Sequence, residues 1–294
     1  MQKTVQATMR DNINRFIIRW VESNLTSGSP ISELEGLTGY SGKTLQRWFS
    51  ESSGMTPGEY LSRRRMSRAA VLLRMTALPV TEIADMFHYY SSQNFSRAFL
   101  RFTGLTPTEY RDHSEWFCLY LQPSLLIDKS RFSDNAVCQL PDRYLLGHEI
   151  NSIDYVVSTS MEGKVLSFIQ RSVEGCRSEG QKEIYMAAIA HKPSEVSIGR
   201  KDAIDVFFHI GQLVEPGQNH TLYLPAGDYI RWRFAGSWEE YVVLSKSACM
   251  MLTSGTTIRR RVGYDYIHFI PATATMTDGE ITCDMYIPVA IHDD

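Results

Sequence analysis

The chain has 294 residues, 43% of them apolar, with a formal net charge of −3, enough for two globular units with cores of their own. It holds no low-complexity tract and no apolar run long enough to span a bilayer, and no secretory leader is read at its start, so a cytoplasmic protein with no membrane partner is expected. Five cysteines (Cys118, Cys138, Cys176, Cys249, Cys283) are scattered singly, which predicts free thiols and neither a disulfide frame nor a metal site.

The first 110 residues state one pattern twice. Pro30-Ile31-Ser32-Glu33-Leu34 opens one copy and Pro79-Val80-Thr81-Glu82-Ile83 the other. Gln46-Arg47-Trp48-Phe49 is answered by Ser96-Arg97-Ala98-Phe99, and Gly54-Met55-Thr56-Pro57-Gly58-Glu59-Tyr60 by Gly104-Leu105-Thr106-Pro107-Thr108-Glu109-Tyr110. A repeat of this length marks a duplicated supersecondary unit. In the first copy Ile31, Leu34 and Leu37 predict a short helix, Gly39 a turn and Ser41 the cap of a second helix with Leu45, Trp48 and Phe49 inward. In the second, Val80, Ile83, Ala84 and Phe87 face inward, and Ser91 or Ser92 caps a helix carrying Phe95 and Phe99. Two short helices meeting at a small turn form a helix-turn-helix unit, whose second helix can enter a DNA major groove. The outward residues there are Lys43, Thr44, Gln46 and Arg47 in one copy, and Ser92, Gln93, Asn94, Ser96 and Arg97 in the other. Arg suits guanine O6/N7, and Gln or Asn suits adenine N6/N7.

Between the copies, Tyr60 to Arg74 has neither Pro nor Gly and predicts one continuous helix that holds the two units apart. Its cluster Arg63, Arg64, Arg65 and Arg68 reads either as phosphate contacts, with Arg64 and Arg68 foremost, or as a solvated face. Residues 1–113 hold 14 Lys and Arg against 10 Asp and Glu, whereas the rest holds 16 against 23. A basic reader joined to an acidic partner is the asymmetry expected when one half meets phosphate.

The residues from Pro30 to Arg111 resemble the DNA-binding domain of the AraC/XylS family of transcription regulators. The likeness rests on Gly39-Tyr40-Ser41, Leu45 to Phe49, Arg65-Met66, Leu72-Leu73, Pro79 to Ala84, Ser91 to Phe99 and Gly104 to Arg111. Lys43 and Ser92 depart from the residues that close relatives carry at those places. The resemblance implies binding to double-stranded promoter DNA, with RNA polymerase as a partner and no cofactor; two recognition helices on one rigid connector predict that a single chain occupies an asymmetric site.

The division expected is a DNA-binding domain at 1–112, a linker at 113–130 and a second domain at 131–294. The linker carries Trp116, Phe117, Leu119, Tyr120, Leu121, Leu125, Leu126 and Ile127, too apolar for a free tether. Beyond it, strands are predicted at 137–140, 144–150, 184–189, 205–210, 221–224, 228–234, 264–270 and 281–289, with helices at 164–177 and 238–253. Two β-helix-β-β units predict an α+β domain with an antiparallel sheet, so the fold class expected is an all-α double helix-turn-helix followed by α+β.

Leu224-Pro225-Ala226-Gly227-Asp228-Tyr229, Asp265-Tyr266 and Met285-Tyr286-Ile287-Pro288-Val289 resemble the GyrI-like small-molecule-binding domain. That implies a cleft between the two units for an amphipathic or aromatic effector. The candidate ligand residues are Tyr229, Trp232, Trp238, Tyr241, Tyr264, Asp265 and Tyr266, whose aromatic faces suit a flat apolar or cationic molecule. The acidic residue usual in that domain is replaced by Ile267, with Asp265 or Glu239 or Glu240 as stand-ins. Two other readings of the second domain are a surface for a protein partner and a small-molecule hydrolase. No P-loop, nucleophile elbow or His-Glu-x-x-His motif occurs, so no catalytic residue is expected and an enzyme is the least favoured reading.

Overall fold

Hydroxyl caps and left-handed turns fix the helical half. In the computed structural model, which describes residues 2–113, 116, 120–127, 132–155, 165–193, 203–245, 258–271 and 279–291, seven helices come first. They are α1 (Gln2–Ser23), α2 (Glu33–Thr38), α3 (Gly42–Ser53), α4 (Pro57–Met75), α5 (Val80–Met86), α6 (Ser92–Thr103) and α7 (Pro107–Asp112). Ser41, Thr56, Ser91 and Thr106 each accept a hydrogen bond from a backbone amide of the helix that they start, relieving donors that the first turn leaves unpaired. Pro57 and Pro107 sit in the first turns of α4 and α7, where a missing amide proton costs nothing.

Helix α4 is the hub. It packs against α1, α3, α5, α6 and α7, and buries Tyr60, Met66, Ala69, Ala70, Leu72 and Leu73 among others. From Met66 to Leu73 every residue is buried, Arg68 among them, so this part of the helix lies inside. The expected repeat is observed as α2-turn-α3 and α5-turn-α6, with Ser91 rather than Ser92 as the second cap. Leu37, predicted to face inward, is 58% exposed, because α2 is only 6 residues long and Leu34 alone fills its inner contact. Helix α1 escaped the sequence reading, yet Ile17, Trp20 and Val21 complete the core under α4.

The second half holds β1 (Phe132–Leu140), β2 (Arg143–Tyr155), α8 (Val165–Ser178), β3 (Ile184–Pro193), β4 (Ala203–Val214), β5 (Leu222–Leu224), β6 (Gly227–Ser237), α9 (Trp238–Ser245), β7 (Ile258–Arg260), β8 (Asp265–Phe269) and β9 (Glu280–Ile291). The expected helix over 238–253 is seen to Ser245, and its remainder lies outside the described residues. The short β7 was not expected. Described pairings are all antiparallel, in the order β1-β6-β9-β8-β3-β4-β2-β5, with β7 on β9. The units β2-α8-β3-β4 and β6-α9-β8-β9 are joined where β3 meets β8.

Strand order forces the sheet to curl. β1 and β2 are linked by only Pro141 and Asp142, and β5 and β6 by only Pro225 and Ala226, yet each pair spans nearly the whole order. Asp142 clasps the two connections, accepting from the Ala226 amide at 2.7 Å and the Tyr223 hydroxyl at 2.8 Å. Side-chain alternation then gives two faces. One carries Ile184, Met186, Phe208, Trp232, Phe234, Ile267, Met285 and Ile287 into the large core with α4, α8 and α9. The inner face of the curl gathers Leu140, Leu145, Ala187, Leu224, Tyr229 and Tyr266.

Candidate nucleic-acid interface and internal cavity

On α3, Leu45 and Phe49 point into the core while Lys43, Gln46 and Arg47 are exposed. Thr44 is partly covered, its hydroxyl 3.0 Å from that of Ser41. On α6, Phe95 and Phe99 are buried while Gln93, Asn94 and Arg97 are exposed. Ser92 and Ser96 are half-buried, and the Ser96 hydroxyl donates to the Ser92 carbonyl at 2.8 Å. The two helices therefore present matching polar faces. The turn before α3 uses Gly39 at φ 74°. The turn before α6 uses His88 at φ 59°, a left-handed conformation uncommon for a side-chain-bearing residue. His88 is anchored there by Nε2, which donates to the Thr26 carbonyl at 2.8 Å.

Arg64 and Arg68 are not phosphate contacts in this fold; both are buried. Arg64 grips Glu22 of α1 with two hydrogen bonds, Nε at 2.7 Å and Nη2 at 2.9 Å, and donates to the Gln122 carbonyl at 2.6 Å. Tyr60 donates to Glu22 at 2.6 Å and accepts from the Leu125 amide at 2.9 Å. Burial pushes the Glu22 carboxyl up, but the charges of Arg64 and Arg68 and the hydrogen bonds of Arg64 and Tyr60 outweigh it and hold the group below its usual value. Burial and the Glu22 charge push the Tyr60 phenol up. Arg63, by contrast, is exposed and pairs with Glu59 one turn back. The reason that three neighbouring arginines part company is position: four-residue spacing puts Arg64 and Arg68 on the side of α4 that meets α1 and residues 120–127.

Behind α4 lies a cavity of about 180 Å³, walled by Arg68, Val71 and Met75 of α4 and by residues of both sheet units, among them Met186, Val206, Tyr241, Asp265, Ile267 and Met285. Trp116 closes one side. Its ring lies 5.8 Å from the Arg260 guanidinium, its indole donates to the Tyr110 hydroxyl at 3.1 Å, and Arg260 pairs with Asp265 at 2.8 Å. The cavity is mainly apolar with two basic residues (Arg68, Arg260) and two acidic ones (Asp154, Asp265).

Of the seven residues read as ligand contacts, the structure brings Tyr241 and Asp265 to this cavity. Trp232 and Trp238 lie on the same side of the sheet but are spent in the core, Trp238 packing on Tyr241 and Phe269. Tyr229 and Tyr266 belong to the inner face with Tyr264 beside them, because odd and even positions of a strand face opposite ways. Asp265 and Ile267 do share a face. Sequence reasoning missed the walls that α4, β3 and Arg260 supply, since nothing local in those segments marks a distant cavity.

Two helix-turn-helix units on one connecting helix, followed by a curled antiparallel sheet, define a DNA-binding transcription regulator. A family model described as a helix-turn-helix domain matches residues 36–113. The HTH-type transcriptional activator AarP of Providencia stuartii is 38% identical over 95 residues, which cover 32% of this chain and 70% of that protein. The transcriptional regulator Rob of Salmonella typhimurium is 26% identical over 299 residues, 94% of this chain and 98% of that protein. The right origin-binding protein of Escherichia coli is 25% identical over the same shares. The chain belongs to the AraC/XylS family, as a regulator of the Rob type.

Proposed function

We propose that the chain is a transcription activator that binds promoter DNA as a single copy through α3 and α6, contacts RNA polymerase, and answers to a small amphipathic or aromatic effector. The observation that carries the DNA half is the duplication itself. Lys43, Thr44, Gln46 and Arg47 on one helix and Ser92, Gln93, Asn94, Ser96 and Arg97 on the other stand on either end of α4, whose 19 residues span about 28 Å. That separation suits successive major-groove segments on one face of a duplex. Activation is favoured by two relatives, AarP and the F1 operon positive regulatory protein of Yersinia pestis, which is 26% identical over 94% of this chain.

The effector half rests on the cavity. Its acidic side chain at Asp265 is already neutralised by Arg260, so a neutral or zwitterionic molecule with an apolar body fits better than a cation. Because α4 supplies one wall, occupancy acts on the helix that sets the spacing of the two readers. The expected domains, 1–112 for reading and 131–294 for sensing, meet at this wall. Enrichment of bound duplexes from a random pool tests the reading: two half-sites about one helical turn apart should emerge. Arg47→Ala should erase preference at one half-site and Arg97→Ala at the other. Preference left intact by both changes would refute the assignment.

A further inference from the structure

The inner face of the curl, separate from the effector cavity, collects aromatic rings and guanidinium groups. Tyr266 on β8 stands in register with Tyr286 on β9, ring centroids 5.3 Å apart, and stacks on Tyr185 of β3 at 5.4 Å with planes 19° apart. Arg143 starts β2, three strands from β8 in the sheet order, yet the curl brings it over: Nη1 donates to the Tyr266 hydroxyl at 2.8 Å with the guanidinium 5.3 Å from that ring. Arg231 is the register partner of Tyr286. Burial and the Asp284 charge push the Tyr286 phenol up, and Arg231 and Arg143 both act against them. Arg261 sits 4.9 Å above Tyr229.

Nε of Arg231 and Nη2 of Arg261 are buried with no hydrogen-bond partner among the described residues. Of the nearby carboxylates, Asp284 is held by Arg233 at 2.8 Å to each oxygen and Glu183 by His268 at 2.6 Å. Arg231 and Arg143 both pull the Cys138 thiol down, against burial and the Asp228 charge, which push it up. Buried donors without a protein partner are rare, and a planar fork beside a ring suits a planar anion.

We propose that this face binds a planar aromatic carboxylate, its ring against Tyr286 and its carboxylate between Arg231 and Arg143. The site lies across the sheet from the effector cavity and does not depend on the sensing reading. Titration of the full chain with 2-naphthoate, followed by its fluorescence or by calorimetry, tests it. Saturable binding is expected, at least tenfold weakened in Arg231→Gln and in Tyr286→Leu, intermediate in Arg231→Lys, and at least tenfold weaker for neutral 2-naphthamide. Met75→Trp, which narrows the cavity on the other face, should leave naphthoate affinity within twofold. Thermal melts of each variant identify those that keep the fold, and Arg231, being half-buried at the surface, is expected to be among them. No saturable binding, affinity untouched by Arg231→Gln and Tyr286→Leu, or binding lost in Met75→Trp would overturn the proposal.

Discussion

Buried Arg64 shows how one side chain can look like a DNA contact and be an internal brace. Removing it leaves the buried Glu22 charge with only the Tyr60 hydroxyl and the Arg68 charge to hold it, and breaking a buried pair in this way costs about 3–5 kcal/mol. Arg64→Ala should therefore lower the urea midpoint strongly, whereas the salt dependence of DNA binding by the remaining folded protein should be unchanged. A reduced salt slope with unchanged stability would return Arg64 to the DNA surface. The same pair sets an acid limit. The folded Glu22 carboxyl lies below its ordinary value of 4.5, so its contribution is fully present above that pH and is lost as pH falls through the lower folded value. Stability should drop on acidification below about pH 4.5, and Glu22→Gln, already destabilised at neutral pH, should show a shallower acid limb in denaturation curves taken pH by pH.

At the scale of elements, recognition helices α3 and α6 should behave as separable readers. Arg47→Ala should cost about 1–3 kcal/mol at its own half-site and relax sequence preference there, and Arg97→Ala should do the same at the other, as measured by competition with point-substituted duplexes. Equal losses on all sequences would mean backbone contact instead. These helices were legible because their information is local: Ser41 and Ser91 cap them, Gly39 supplies the turn, and Leu45, Phe49, Phe95 and Phe99 repeat at helical spacing. Helix α1 was equally legible in Ile13, Ile17, Trp20 and Val21, but it lies outside the repeat that drew the reading. The cavity was legible only in part. Alternation told that Asp265 and Ile267 share a face, but the curl of the sheet and the approach of α4 are long-range facts. So Tyr229 and Tyr266, grouped with Tyr241 for their aromatic faces, belong to the opposite face.

For the whole molecule, Trp116 and residues 120–127 act as a brace between the halves. Gln122 donates its amide to the Ser67 hydroxyl at 2.7 Å, Leu125 holds Tyr60, Leu121 is buried, and Trp116 bridges Tyr110 and Arg260. One chain thus carries both readers at a fixed spacing, and native mass measurement of the protein on its enriched duplex should give one copy per asymmetric site; two copies on a palindrome would contradict it. An apolar ligand behind α4 and DNA in front of it are expected to sense each other through that helix. A ligand shifts such an equilibrium only by its different affinity for the two arrangements, and the coupling is reciprocal. The most direct measurement is a titration of the neutral fluorophore N-phenyl-1-naphthylamine into the protein, alone and saturated with its enriched duplex. Two different affinities are expected, their ratio equal to the factor by which the fluorophore changes DNA affinity, with loss of fluorophore binding in Met75→Trp. Identical affinities with and without DNA would contradict the coupling.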